Sequence, residues 1–304
     1  MVQGSVISKE RKIVPPELRN KPPKAINRGP GILSIDIHFF SFRNYLMKIG
    51  FIGTGKITTS VITGLFRSKA NLKQILISER SKKNSRALAK RLKQVKVVKD
   101  NQEIINRSNW VVLAVVPTVA KKILQDLKFK KGQTVISFVS TLNMKDLRRF
   151  ASPATLVFKA APLPMVESKL GPIVLYPSNN KVNALFNKIG TVINAKNEKE
   201  NNYLWTLTAG MATYLELCAT LEDWLVQRKV NTTKAKRLVT SLVFGLSHTL
   251  LLSKQDTRSL VKEYQTKKGI NEELLLRLKK DKIFDKINKN LNTIFARIKK
   301  ANDQ

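Results

Sequence analysis

Cysteine is almost absent from this chain, and acidic side chains are scarce beside the basic ones. Cys218 stands alone among 304 residues, which rules out an intrachain disulfide and suits a reducing compartment. It lies in an apolar helical stretch, where a thiol is expected to be buried and inert. No zinc-type spacing of cysteine and histidine occurs, so no metal site is expected. No stretch approaches the roughly 18 uninterrupted apolar residues of a membrane span, and the expected setting is cytoplasmic. Only 21 Asp and Glu oppose 56 Lys and Arg, a formal charge of +35, and such an excess invites a polyanion partner. The lysines, however, spread over nearly every helix beside Asn and Ile, with no aromatic interleaving and no nucleic-acid module. They read as solvated faces rather than a dedicated nucleic-acid site, although the charge still favours anionic ligands.

What is present divides into three. Residues 1–46 are rich in Pro, Gly, Lys and Arg, and Pro15-Pro16, Pro22-Pro23 and Gly29-Pro30-Gly31 break any period. They read as a disordered basic extension. The apolar run at 32–40 comes late and lacks a small-residue cleavage site, unlike a signal peptide, and Glu10, Glu17 and Asp36 argue against a transit peptide.

Residues 47–65 organise everything that follows. Lys48-Ile49-Gly50-Phe51-Ile52 is an apolar strand, Gly53-Thr54-Gly55 a turn, and Lys56, Ile57, Val61, Ile62 and Leu65 mark a helix. A dinucleotide needs this arrangement, because its pyrophosphate rests on backbone N–H groups at a helix N-terminus. Gly53 makes the tight turn and Gly55 lets the backbone approach the phosphates without a Cβ in the way. Thr58 stands where the G-x-G-x-x-G/A fingerprint has its third small residue. About 20 residues beyond Gly53, where the fingerprint asks for it, a second strand ends in Ser78-Glu79-Arg80-Ser81. Glu79 suits a ribose 2′-hydroxyl, whereas Arg80 with Ser78 and Ser81 suits a 2′-phosphate. NADP is therefore the expected cofactor, with NAD the alternative. A tight hairpin turn between unrelated elements is the competing reading of the glycines.

Beyond this unit strand and helix alternate. Helical or strand periods follow at 81–92, 95–98 and 102–106, and Trp110-Val111-Val112-Leu113-Ala114-Val115-Val116-Pro117 is apolar throughout, as a strand covered on both faces should be. A helix at 118–127, a strand at 133–139, strands at 154–158 and 173–176 and a helix at 184–189 complete the series. This pattern predicts an α/β fold with a Rossmann-type, doubly wound parallel sheet over residues 47–195. Its ligand edge lies beyond the carboxyl ends of the strands, at Asn101, Ala114, Val115, Pro117, Thr118, Ser140 and Thr141. Residues 196–304 carry little strand signal and read as an all-helical domain, with helices at 198–226, 233–253, 258–265 and 271–300. The first of these is apolar on most faces, from Tyr203 through Met211, Leu215 and Leu225. Such a helix is expected to be buried, partly against a second subunit, so a homodimer or larger homo-oligomer is expected.

The order of elements resembles the pyrroline-5-carboxylate reductase family over almost all of residues 47–300. The resemblance is carried by Met47-Lys48-Ile49-Gly50-Phe51-Ile52-Gly53-Thr54-Gly55, Ser78-Glu79-Arg80-Ser81, Asp100-Asn101, Leu113-Ala114-Val115 with Pro117, Ile136-Ser137, the loop from Lys159 to Pro164, and the helix containing Thr208 to Tyr214. It implies hydride delivery from NADPH or NADH to a small cyclic imine, giving proline, and helical domains that intertwine as dimers. The substrate half departs from the family pattern. The family's S-G-S-G-P-A-Y run is Thr208-Ala209-Gly210-Met211-Ala212-Thr213-Tyr214, and its M-P-N-T-P loop beside the nicotinamide is Ala161-Pro162-Leu163-Pro164-Met165. Its lysine before the proline is Val116, and the threonine of S-P-G-G-x-T is Asn271. A divergent reductase-like branch with a P-L-P loop and a G-L-N-E turn is the nearer likeness.

Hydride transfer to a protonated imine needs little acid–base machinery, because the reactive hydrogen belongs to the cofactor. The chain must position the imine and offer a hydrogen bond near its nitrogen. Asn271, Thr208 and Thr213 are the candidates, with Lys267, Lys268 or the N–H groups near Thr208 for a carboxylate. Each has a plainer alternative: back-bonding within a helix for the threonines, an N-cap for Asn271. Three functions therefore stand side by side: an NADP-linked imine reductase, a cofactor-binding sensor that has lost turnover, and a basic interaction protein built on a Rossmann scaffold.

Overall fold

The computed structural model describes residues 47–79 and 81–303. The expected disordered extension and the Arg80 assignment lie outside the described residues.

The chain opens as β1 (Met47–Ile52), and β1 sits between β2 (Leu72–Ser78) and β4 (Trp110–Leu113), parallel to both. With β3 (Val95–Val98), β5 (Thr134–Ser137), β6 (Leu156–Pro162), β7 (Pro172–Tyr176) and β8 (Thr191–Asn194), the sheet runs in the order β3-β2-β1-β4-β5-β6-β7-β8. The reversal of order between β1 and β4 creates a crevice at their carboxyl ends, where open α/β sheets bind ligands. Helices cover both faces. On one, α1 (Lys56–Arg67) sets Val61, Ile62 and Leu65 against Ile49 and Phe51 of β1. On the other, α3 (Asn101–Arg107) presses Ile104 toward Gly50 so closely that a Cβ there would lie 2.4 Å from the Ile104 Cγ2. Alternation of side chains along one strand thus feeds two separate cores. The remaining sheet helices are α2 (Lys82–Arg91), α4 (Pro117–Gln125), α5 (Met144–Ala151) and α6 (Asn180–Phe186).

Several features of the sheet depart from the sequence reading. The sheet is mostly rather than wholly parallel, because β7 runs antiparallel to β6. Residues 163–171, containing a short 3₁₀ turn (Pro164–Ser168), are too few for a parallel crossover, which takes a dozen residues or more. β8 was not expected, since its side chains are largely exposed and carry no apolar run, yet it pairs parallel with β7. The helix expected at 184–189 starts earlier, at Asn180, where Asn179 caps it by accepting from the N–H groups of Lys181 and Val182.

From Glu198 onward the described chain is helical: α7 (Glu198–Leu207), α8 (Gly210–Gln227), α9 (Thr232–Leu252), α10 (Thr257–Glu263), α11 (Ile270–Lys280) and α12 (Ile283–Asp303). The single helix expected over 198–226 is interrupted at Thr208 and Ala209, and that expected over 271–300 breaks at Lys282, which has φ +55°. The expected burial of the apolar helix is not met within one chain. No residue of α8 is buried, and Cys218 is only half-buried. Among the described residues no helix is long and apolar enough to cross a membrane.

Candidate active site

The turn between β1 and α1 is held by side chains from elsewhere in the sheet. Gly53 adopts φ +103°, and a Cβ on it would lie 2.3 Å from the carbonyl oxygen of Ala114, so only glycine fits. Its N–H donates to the Ser78 Oγ at 2.9 Å, while the Thr54 hydroxyl donates to the Ser78 carbonyl at 2.6 Å. The buried Thr58 hydroxyl donates to the Gly53 carbonyl at 2.7 Å, so the residue that breaks the glycine fingerprint pins the turn instead of loosening it. Gly55 is the N-cap of α1 and has no capping side chain, and a Cβ there would meet nothing within 4 Å. The first N–H groups of α1 therefore open onto free space, as an anionic phosphate requires.

They open onto a cleft of about 390 Å³. Gly55, Lys56, Ile57 and Thr58 form one side, and Ala114, Val115, Val116 and Pro117, at the carboxyl end of β4, form the next. Phe138, Ala161, Pro162 and Leu163 continue the wall from β5 and β6, and Trp205, Thr208 and Met211 close it from the α7–α8 break. Lys56 is the one charged residue in this lining, and it stands at the α1 N-terminal end. The far end is apolar apart from Thr208, whose hydroxyl donates to the Trp205 carbonyl at 2.7 Å.

The structure thus brings Gly55, Lys56, Ile57, Ala114, Val115, Pro117, Pro162 and Thr208 together, with Gly53 and Thr54 shaping the turn behind them. It does not bring the others there. Ser78 is 3% exposed and its hydroxyl is turned back on the turn, so it braces the loop rather than reaching a ribose phosphate. Ser81 occupies the N-cap position of α2 without a side-chain capping hydrogen bond, and Lys82 and Lys83 are exposed beside it. Asn101 is the first residue of α3, capped by Asp100, and is not part of the cleft wall. Thr213 is exposed on α8. Asn271 is exposed on α11, where Gly269 and not Asn271 is the N-cap, and its amide donates to the Tyr264 carbonyl at 3.2 Å. In one chain neither residue reaches the cleft.

Sequence reasoning gave no role to Lys159. Its side chain is fully buried in β6, with Nζ 3.8 Å from the Glu198 Oε1. Burial pushes its pKa down from 10.5 to about 8, against the opposing pull of Glu198. Between those two values the unfolded chain keeps a proton that the folded chain has released, so stability rises as pH climbs through the window and the gain is lost as pH falls through 8. Denaturant titrations of wild type and Lys159→Met should therefore diverge by about 3 kcal/mol between pH 8 and pH 10.5, wild type gaining. Parallel curves would place the lysine in a wetter site than this one.

Fold and cleft together define a Rossmann-type architecture with a ligand cleft at the carboxyl ends of its strands. Residues 48–141 match the family model for NADP oxidoreductase coenzyme F420-dependent. Among curated proteins the chain is 25% identical over 152 residues to a pyrroline-5-carboxylate reductase of Pisum sativum, covering 47% of this chain and 55% of that one. A pyrroline-5-carboxylate reductase of Arabidopsis thaliana is 29% identical over 107 residues, 34% of this chain and 38% of that one. The matches span about half or less of those relatives' length. The fold is that of a Plasmodium falciparum pyrroline carboxylate reductase with NADP bound (TM-score 0.74, 20% identity, 84% of this chain and 98% of that one). It is likewise that of a 1-pyrroline-5-carboxylate reductase from Streptococcus pyogenes (TM-score 0.73, 21% identity, 85% and 99%). In sequence over these stretches, and in fold over most of its length, the chain is similar to pyrroline-5-carboxylate reductases.

Proposed function

We propose that the protein is an NADPH-dependent reductase of a small cyclic imine, with pyrroline-5-carboxylate, reduced to proline, as the first substrate to test. The observation that carries this reading is the uncapped N-terminus of α1 opening onto an apolar cleft. The likeness to pyrroline-5-carboxylate reductases supports it. Lys56 and the N–H groups after Gly55 hold the pyrophosphate, and Ser81, with Lys82 and Lys83 at the start of α2, meets a 2′-phosphate that NADH lacks. Ala114, Val115, Pro117 and Pro162 form the apolar walls that keep water from the nicotinamide end. Bound there, NADPH supplies the hydride that an iminium carbon accepts. The Thr208 hydroxyl spends its proton on the Trp205 carbonyl, which leaves its oxygen free to accept from an iminium N–H. Thr213 and Asn271 act on substrate only from a second copy of the chain, through the exposed apolar helices that pair as a homodimer.

A second reading, a protein that binds NADPH without turnover, is favoured by one observation: the far end of the cleft offers no charged side chain to a substrate carboxylate. The two separate in one assay. NADPH oxidation in the presence of pyrroline-5-carboxylate should proceed at an ordinary enzymatic rate, faster than with NADH. Saturable NADPH binding without turnover, on this substrate and on a panel of cyclic imines, would overturn the reductase reading.

A further inference from the structure

An ammonium group inside a sheet is costly, and an apolar side chain of the same length would pack there at less expense. Lys159 nevertheless sits fully buried on β6, two residues before Ala161, which lines the cleft. Its Nζ lies 3.8 Å from the Glu198 Oε1, 3.5 Å from the Ser140 carbonyl oxygen and 5.5 Å from the centroid of the Trp205 ring. Glu198 and Trp205 are seven residues apart on α7, two turns along one face, so a single cation touches the helix at two points. The carboxylate is itself fixed, its Oε1 accepting the Met144 N–H at 2.7 Å at the start of α5. The indole that receives the cation also forms part of the cleft wall.

We propose that Lys159 is a positioning residue: its ammonium, gripped by Glu198, holds the Trp205 indole as the rigid wall of the cleft at its substrate end. The functional part rests on the reading of this cleft as the reductase site; the clamp itself does not. An aromatic face near a desolvated cation is held electrostatically, and a wall fixed in this way keeps a small planar substrate in register for hydride transfer. The groups that face the ammonium are few. α7 contributes the Glu198 carboxylate, β7 places Tyr176 opposite Lys159 in the antiparallel ladder, and β5 pairs Ser137 with it, which does not titrate in the working range. The clamp therefore holds while the lysine is charged and slackens as pH rises through about 8.

The test labels the full-length protein with fluorotryptophan, assigns the Trp205 signal by comparison with Trp205→Phe, and follows it by fluorine NMR as pH is raised. In wild type the Trp205 signal shifts with a midpoint near 8. Lys159→Met removes the transition, and Lys159→Arg, charged throughout, gives a flat profile near the low-pH position. In the pyrroline-5-carboxylate assay Lys159→Met raises KM roughly tenfold with a smaller change in kcat, and Lys159→Arg restores it. A Trp205 transition that persists unchanged in Lys159→Met overturns the clamp, as does a KM that stays at the wild-type value. Absence of turnover in every protein, wild type included, overturns the reductase reading alone, and the NMR titration then decides the clamp by itself.

Discussion

Gly53→Ala abolishes NADPH binding and destabilises the fold. At φ +103° any Cβ is strained, and here it would lie 2.3 Å from the Ala114 carbonyl oxygen and 2.6 Å from the Ala114 carbonyl carbon. Both obstacles are backbone of the neighbouring strand end, so neither can swing away like the tip of a side chain. The strain and the displacement together cost on the order of 3 kcal/mol or more, and the turn that aims the α1 N–H groups is lost, with an affinity loss of about a hundredfold or greater. Gly55→Ala separates the two effects. Nothing lies within 4 Å of a Cβ at that position, and the backbone there is an ordinary extended N-cap. That variant should melt like wild type while binding NADPH much more weakly, because the new methyl stands where the phosphates approach. Thermal melting with NADPH titration on both variants checks this; a Gly53→Ala protein that melts and binds normally would contradict the description of the turn.

Charging the exposed stripe of α9 should split the protein into monomers. Leu238, Leu242 and Leu246 follow one another at one-turn spacing and are 59%, 53% and 42% exposed in the single chain. α8 beside it carries a matching stripe of Tyr214, Leu217, Leu221 and Trp224. A monomer rarely leaves so much contiguous apolar surface to water. If a second copy covers it, Leu238→Glu with Leu242→Glu removes on the order of 4 kcal/mol of apolar burial and sets carboxylates in the interface. Light scattering should then report a dimer for wild type and a monomer for the double variant. Turnover should fall as the dimer is lost, since Asn271 and Thr213 reach no cleft within their own chain. A monomeric wild-type protein would remove the second copy from the site.

What was legible in the sequence was local. The strand, the Gly53-Thr54-Gly55 turn and α1 are contiguous, and each needs only its own residues to declare itself, as does the apolar run of β4. Side chains whose partners are distant in sequence did not declare themselves. Ser78 ends a strand as a phosphate-binding serine would, but packing hands its hydroxyl to Gly53. Thr58 breaks the fingerprint on paper and completes the turn in space. Lys159 looks like an ordinary loop lysine until folding puts Glu198 beside it. The antiparallel turn into β7 followed from the length of a connection, and β8 from backbone pairing alone, neither of which leaves an apolar period to read. The far half of the site was least legible, because Asn271 sits on a helix that does not reach the cleft within one chain.

NADPH titrated into the purified full-length chain, followed by calorimetry, bears most directly on whether the turn at Gly53 serves a dinucleotide. The expected result is one saturable site per chain at micromolar affinity, weaker for NADH and lost in Gly53→Ala. No binding, or binding to Gly53→Ala as tight as to wild type, would contradict it.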